Sequence, residues 1–557
     1  MIFLESPIFV VLKHDTMKLV ISLILATFCG MISCTNPEIT FSWEDDEAFS
    51  HKVWKGERLF AEAVLETPED LSGVTVKPSN LWSGFNVIDA DCVKAQFTRQ
   101  VMADVLQEGW RQCSNRAPGQ YDSLLVADLI DTVRRVDVAA GNIQTVWVTV
   151  EVPRDAKPGI YRGEISLRGI GMIKRRIPLE FEVVDRELPE PSEWKFHLDL
   201  WQNPYTVARY HGVELWSEEH FKHMEPLMSR LADAGQKVIT TTILNRPWNG
   251  QTQDAYGSMV KKIRKADGGW KYDYSVFDKW VSFMMELGID DYISCYSMIP
   301  WKLEFDYFDE AAGRDTSFVA AAASKEYKLY WGHFLSDFAA HLRSKGWFEK
   351  TIIAMDERPA EAMLAAFETI FTADPDFKVS LAGKWHPELE RELFDYCVSF
   401  RQGTPAEVMK KRQSEGKVST WYTCCAERFP NSFMVSPLEE GVWIGWRTLA
   451  AGYDGYLRWS YNHWTKDPVA DARFRRWPAG DCYFVYPGGR SSRRFDKIVE
   501  GIQDYEKARI LMDEWEAAGD TLKLQTLRQA LDNFTYETLE SEGAAPAVRL
   551  AKSALDQ

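Results

Sequence analysis

From residue 195 to residue 460 the chain alternates between short β-branched or aromatic runs and longer amphipathic stretches, and this alternation limits the fold more than any other feature. Strands are expected at 195–201, 237–244, 291–299, 351–356, 378–385, 397–401, 417–423 and 454–460. Helices are expected between them at 217–234, 275–288, 324–346, 359–372, 387–395, 405–415 and 437–451, several ending in Gly. Eight strand–helix units over about 270 residues match a (β/α)8 barrel of the TIM type. The rival, an open doubly wound sheet, lacks the glycine-rich phosphate loop that would support it.

The flanks read differently. Residues 38–188 carry alternating strands such as Gln144–Pro153, Gly159–Leu167 and Ile177–Val184, broken by turn-forming clusters, and an antiparallel β-sandwich is expected. The Pro-rich stretch from Leu188 to Ser192 is a linker by composition, so the barrel domain spans 192–513, with a helical extension at 514–557. Helical patterns cover 493–513 and 521–555. The fold class is therefore multidomain, α/β plus all-β: sandwich, barrel and helical extension.

Residues 1–33 read as a signal peptide. A basic start at Met17-Lys18 precedes an apolar run too short to span a bilayer, and 1–16 look like an upstream extension. Met31-Ile32-Ser33-Cys34 resembles a lipoprotein processing site, which makes Cys34 the expected lipidated residue. The expected location is the periplasm or cell surface of a Gram-negative bacterium, with membrane contact only through that anchor. A net charge of −17 argues against nucleic acid. No Cys-x-x-Cys pair or His cluster has metal-ligand spacing, so neither metal nor cofactor is expected. A pairing of Cys92 with Cys113 is open to an exported chain, whereas the adjacent Cys424 and Cys425 read as buried thiols.

Within the barrel pattern, Thr351-Ile-Ile-Ala-Met-Asp-Glu-Arg-Pro359 is a strand ending in two carboxylates before a helix-opening proline. Acidic residues there are also ordinary helix-starting residues. In a barrel, however, chemistry sits at the carboxyl ends of the strands. Taking that edge strand by strand yields Trp201 and Asn203; Asn245, Arg246 and Trp248; Tyr296 and Trp301; Asp356 and Glu357; Trp385 and His386; Arg401; Tyr422 and Glu427; and Trp459, Tyr461, Asn462, His463 and Trp464. Aromatic walls around a carboxylate pair suit a sugar subsite, since rings stack on sugar faces and acids cleave the glycosidic bond. Aromatic residues at a rim are also commonly packing.

Glycosidic cleavage needs a protonated carboxyl beside the leaving oxygen, and Glu357, beside Asp356 and walled by aromatics, suits that role. Adjacent residues cannot straddle the anomeric carbon as an acid and a nucleophile do. The alternative is a substrate whose 2-acetamido carbonyl attacks, with Asp356 holding the acetamido N–H. The doublet therefore suggests a retaining N-acetylhexosaminidase. Tyr296 or Tyr422 is a candidate donor to the acetamido carbonyl. Trp385, Trp421 and Trp459 are candidates for the methyl pocket or for ring stacking, and His386 and Asn462 for sugar hydroxyls, although His386 serves equally as a cap of the helix after Pro387. Arg447 reads as a structural ion-pair partner, and the run Glu500–Arg509 as a solvated helix face.

Met355-Asp356-Glu357, Ile293–Trp301, Leu198–Pro204, Thr420–Cys425 with Pro430-Asn431, and Gly480–Gly488 resemble glycoside hydrolase family 123. That resemblance implies a β-N-acetylgalactosaminidase acting on glycans with terminal β-GalNAc, with Asp356 orienting the acetamido group and Glu357 as acid/base. Asn203 departs from the apolar residue expected there. Two alternatives stand beside this reading: a non-catalytic surface glycan-binding lipoprotein, and a barrel glycosidase acting on another sugar.

Overall fold

A computed structural model of the chain describes residues 38–45, 49–105 and 122–557. The signal segment, Cys34 and Cys113 lie outside the described residues.

The N-terminal unit is a pair of packed sheets. One has the strand order Thr40–Trp43, Arg58–Glu66, Ile143–Glu151, Val93–Asp104, Ser123–Ile130. The other is built on Val53–Lys55, Arg175–Glu187, Gly159–Ile170, Leu71–Pro78 and Val136–Val138. Strict alternation explains its core: Ile177, Leu179, Phe181 and Val183 point inward while Pro178, Glu180 and Glu182 face out. The inward rows of the two sheets form one apolar cluster.

The barrel strands are β1 (His197–Leu200), β2 (Val238–Thr242), β3 (Tyr292–Tyr296), β4 (Thr351–Asp356), β5 (Lys378–Gly383), β6 (Asp395–Ser399), β7 (Val418–Tyr422) and β8 (Gly455–Arg458). They form one parallel sheet in which β1 pairs with β8 and the rest follow in sequence to β2. Their residues are buried almost throughout, as strands covered on both faces require. The barrel is nearly closed. Between β1 and β2 the backbone ladder gives way to side-chain amides: Gln236 accepts from the Leu200 N–H at 3.0 Å and donates to the Val238 carbonyl at 2.7 Å, and Gln202 accepts from the Thr240 N–H at 2.8 Å.

The helices are α1 (Pro204–His211), α2 (Glu218–Ala232), α3 (Ser275–Glu286), α4 (Lys325–Lys345), α5 (Ala360–Ala373), α6 (Ala406–Ser414), α7 (Glu439–Ala451) and α8 (Arg493–Ala518), followed by α9 (Thr521–Leu531), α10 (Tyr536–Glu542) and α11 (Ala545–Leu555). Asn203 has a physical role: its carboxamide accepts from the N–H groups of Tyr205 and Thr206 and caps α1. Where α7 crosses α8, a Cβ on Gly445 would stand 2.1 Å from the Gly501 carbonyl oxygen, so glycine lets the two backbones touch.

Three expectations are corrected. The helix expected at 387–395 is only a 3-10 turn at Glu390–Glu392. The buried guanidinium of Arg412 instead satisfies the local carbonyls, donating to Leu393 at 2.9 Å and Phe394 at 3.0 Å. Among the described residues Arg447 makes no ion pair; it donates to the Phe534 carbonyl at 2.7 Å. The Glu500–Arg509 run is not solvated, because α8 lies between sandwich and barrel and buries Gln503, Asp504, Glu506 and Lys507.

One unit has no counterpart among the expected elements: a four-stranded sheet in the order Trp270–Asp273, Lys261–Arg264, Glu304–Asp309, Arg314–Val319. It is assembled from the segments after β2 and β3, at the carboxyl end of the barrel. The hairpin between Asp309 and Arg314 carried the signal, with aromatic alternation on either side of Gly313.

Candidate active site

Ile352, Ile353, Ala354 and Met355 bury β4 in the barrel, and Asp356 ends it. In a regular strand the next side chain points to the opposite face. Glu357 escapes that alternation because its backbone is left-handed, φ 50°, a conformation costly for a residue with a Cβ. Its N–H is held by the Ala382 carbonyl at 2.7 Å, and a Cβ on Gly383 would stand 3.3 Å from the Glu357 Cα. The consequence is that both carboxylates line one cavity.

That cavity holds about 440 Å³ and is walled by Trp201, Trp301, Tyr422, Trp459 and Trp477, with Ala382 and Leu457 beneath. Gln251, Cys424, Cys425 and Arg476 complete it. Among the described residues, Asp356 and Glu357 are its two carboxylates. Asp356 is half-buried and Glu357 exposed into the mouth. Burial and the neighbouring Glu357 charge push the Asp356 carboxyl well above its usual range. The Arg358 guanidinium and the indole N–H groups of Trp248 and Trp301 oppose that shift. Arg358 bonds the Asp356 backbone carbonyl at 2.8 Å rather than its carboxylate, and lies 5.8 Å from the Trp301 ring. The Tyr422 hydroxyl donates to Glu357 Oε1 at 3.4 Å, and burial pushes its own pKa upward.

The wall is backed by a second aromatic layer. Trp201 stacks on Trp248 at 4.9 Å and sits 4.6 Å from the ring of Tyr296, while Trp459 meets Trp477 edge-on at 5.5 Å. An acid pair in an aromatic pocket at the end of the fourth barrel strand is a glycosidase arrangement. Comparison with known families decides which: residues 201–511 match the glycoside hydrolase 123 catalytic domain, and residues 38–169 its N-terminal domain. The chain belongs to glycoside hydrolase family 123.

A solved family 123 glycoside hydrolase from Clostridium perfringens, described for glycolipid glycan hydrolysis, shares the fold: TM-score 0.85 and 24% identity over 93% of this chain and 97% of that one. A Bacteroides ovatus GH5 xyloglucanase in complex with a heptasaccharide reaches only a TM-score of 0.28 at 8% identity, over 83% of this chain and 100% of that one. No curated protein matches.

In this family 123 enzyme the residues expected at the rim divide into two groups. Trp201, Trp301, Tyr422 and Trp459 line the cavity, with Tyr296 buried behind Trp201. Trp385, His386, Trp421, Tyr461 and Asn462 do not line it, nor do Asn203, Asn245, Arg246, Trp248, Arg401, Glu427, His463 and Trp464. Trp385 stacks on Tyr396 at 5.1 Å, and the His386 backbone N–H bonds the Tyr396 hydroxyl. Trp421, one residue from the inward Tyr422, points outward and donates to Thr448 on α7 at 2.9 Å. Tyr461 donates to the Leu227 carbonyl at 2.8 Å, deep in the core. Asn462 brackets the Asn203 backbone, accepting its N–H at 2.8 Å and donating to its carbonyl at 2.9 Å.

Gln251, Arg476 and Trp477 were not read from the sequence, since all three come from irregular loops. The motif Gly480–Gly488, just after Trp477, was the available signal. The cysteine expectations are corrected too. Cys92 is a free thiol while Cys113, its expected partner, lies outside the described residues, and Cys425 is disulfide-bonded while Cys424 is free.

Proposed function

We propose that this hydrolase is a retaining, exo-acting β-N-acetylgalactosaminidase that uses the substrate's 2-acetamido group as nucleophile and releases terminal GalNAc from glycans, including those of glycolipids. One observation carries the proposal: the two carboxylates of the cavity are consecutive residues on one wall, and among the described residues no third carboxylate lines it to attack from the other face of the sugar. The acetamido carbonyl oxygen then attacks the anomeric carbon while Glu357 gives its proton to the departing oxygen. Asp356 accepts the acetamido N–H and balances the positive charge of the oxazolinium ring. In the second step Glu357 takes a proton from water, whose oxygen opens the ring and leaves the original configuration. The Tyr422 hydroxyl, within reach of Glu357, orients that carboxyl.

The glycolipid substrate of the Clostridium relative supports the glycan class. The mature enzyme is proposed to be an exported lipoprotein anchored through Cys34, to be tested by mass spectrometry of the mature N-terminus.

The mechanism is tested by hydrolysis of aryl 2-acetamido-2-deoxy-β-galactosides whose acetyl group carries zero to three fluorines. The kcat/KM is expected to fall with each fluorine, as the carbonyl becomes a poorer nucleophile, and NMR is expected to show the β-anomer formed first. Equal cleavage of a 2-hydroxy analogue would refute the scheme. The gluco epimer, run alongside, reports the sugar preference.

A further inference from the structure

The sandwich carries a feature that the proposed reaction does not use. Its strands Gly159–Ile170 and Arg175–Glu187 are joined by a turn whose sequence, Arg168-Gly-Ile-Gly-Met-Ile-Lys-Arg-Arg176, holds four cations and no acid in a chain of net charge −17. Gly171 supplies the left-handed backbone of the turn, φ 79°. Gly169 leaves room for Met172 to fold back, since a Cβ there would stand 2.8 Å from the Met172 sulfur. Met172 packs on the sandwich core, and Ile170 and Ile173 are left pointing outward, 74% and 78% exposed. A single exposed aliphatic is ordinary, whereas two at one tip between flanking cations make an amphipathic finger.

Strand register puts this turn at the end of the sandwich where the chain enters it. Thr40 and the exposed Ile143 both lie opposite Glu66, on either side of its strand. Just after Glu66 the chain crosses to the other sheet, where Ser72 lies opposite Ile170. Six residues lead from Cys34 to Thr40, a reach of about 20 Å at full extension. We propose that this end of the sandwich docks on the anionic lipid surface to which the chain is anchored, with Ile170 and Ile173 entering the interface and the flanking cations meeting lipid phosphates. The inference rests on the proposed anchoring through Cys34.

The charges at that end suit such a partner. Lys174 and Arg176 share Glu164, at 3.0 and 3.5 Å. Arg168, Arg175, Arg134 and Arg135 make no ion pair among the described residues. Arg135 belongs to the same surface as the finger, because a Cβ on Gly73 would meet Ile170 at 3.3 Å and Arg135 at 3.4 Å. Asp70 and Asp137 accept the N–H groups of Ala140 and Gly73 at 2.8 and 2.7 Å, which leaves the exposed Glu38, Glu66 and Glu69 as the nearby acids. Unpaired arginines therefore outnumber them. Cations close to a bilayer are attracted by anionic headgroups, and an apolar tip gains by leaving water. The short tether favours a lipid surface over a protein groove, since it holds this end at high effective concentration beside the bilayer.

The test uses the mature chain from Thr35, which keeps every described residue and carries no lipid, in co-sedimentation with vesicles. It is expected to bind vesicles of phosphatidylethanolamine with phosphatidylglycerol, to release them as salt is raised, and to leave vesicles of phosphatidylcholine unbound. Arg168→Gln and Arg175→Gln are each expected to weaken binding by about fivefold. Ile170→Ser combined with Ile173→Ser is expected to weaken it by at least about tenfold, with thermal unfolding unchanged in all three variants. Absence of binding to the anionic vesicles overturns the docking surface, as do equal binding to both vesicle types and binding that the substitutions leave unchanged. A dimer in sedimentation velocity that the isoleucine substitutions abolish would assign the face to a second copy and overturn it as well. Mass spectrometry showing no lipid on Cys34 would sink the anchor alone, because the vesicle assay does not depend on it.

Discussion

Along α8 buried charges are matched by cations and carboxylates of the chain, whereas at the end of β4 the half-buried Asp356 and the exposed Glu357 are not. Lys507 meets Glu57 at 3.0 Å, Lys552 meets Asp504 at 2.7 Å and Glu500 at 3.1 Å, and the Arg494 guanidinium holds Asp128 at 2.8 Å while donating to the carbonyls of Ser432 and Tyr483. Asp356 and Glu357 have no ion pair within 4.0 Å among the described residues, and Arg358, which acts electrostatically on Asp356, is bonded to the backbone. Burying charge is costly unless partners replace water. The α8 seam meets that cost with partners from the same chain and joins sandwich to barrel. At the β4 end the half-buried Asp356 and the exposed Glu357 instead face the cavity, where indole and phenol donors rather than cations meet them.

The contrast is testable at both places. The largest expected effect is at β4: Glu357→Gln and Asp356→Asn each lower kcat by about 10³-fold or more while thermal unfolding stays within a few degrees of wild type. An aryl substrate with a good leaving group hides part of the Glu357→Gln loss. Next comes the seam, where Arg494→Met strands the Asp128 carboxylate and is expected to cost about 3–5 kcal/mol in urea unfolding.

A smaller effect appears in the pH dependence of that seam. Burial alone would raise the Glu500 pKa, but Lys497 and Lys552 outweigh it and hold the group down at about 2. A depressed folded pKa contributes stability that is complete above the unfolded value near 4.5 and is lost as pH falls toward about 2. Glu500→Gln should therefore lose no more than about 3 kcal/mol at neutral pH and flatten the acid limb between those values. The smallest change is Tyr422→Phe, which removes one donor to Glu357 and is expected to cost about tenfold in kcat with little change in KM. Loss of stability without loss of rate in that variant would move Tyr422 from the cavity side of the comparison to the seam side.

How much of this was legible in sequence depended on whether a rule of local geometry reached the residue. Strand, acid pair and Pro359 identified the end of β4 and, through the barrel rule, the neighbouring strand ends that carry Trp201, Trp301, Tyr422 and Trp459. Trp421 and Tyr422 cannot both face inward as expected, because the two-residue period of a strand forbids it. Tyr461 and Asn462 failed for another reason: beyond β8 no period applies, and the chain returns to the core immediately after Trp459.

What the sequence determined by itself was the order of elements, two domains and a paired acid at a strand end, because those follow from local periodicity and turn chemistry. Only the tertiary structure decided that Glu357 turns into the same cavity as Asp356, that the charged Glu500–Arg509 run is interior, and that segments after β2 and β3 join into a sheet beside the site. Each of these depends on atoms distant in the chain. The Ala382 carbonyl holds the Glu357 N–H, and the Glu57 carboxylate, 450 positions from Lys507, makes burial of that lysine tolerable.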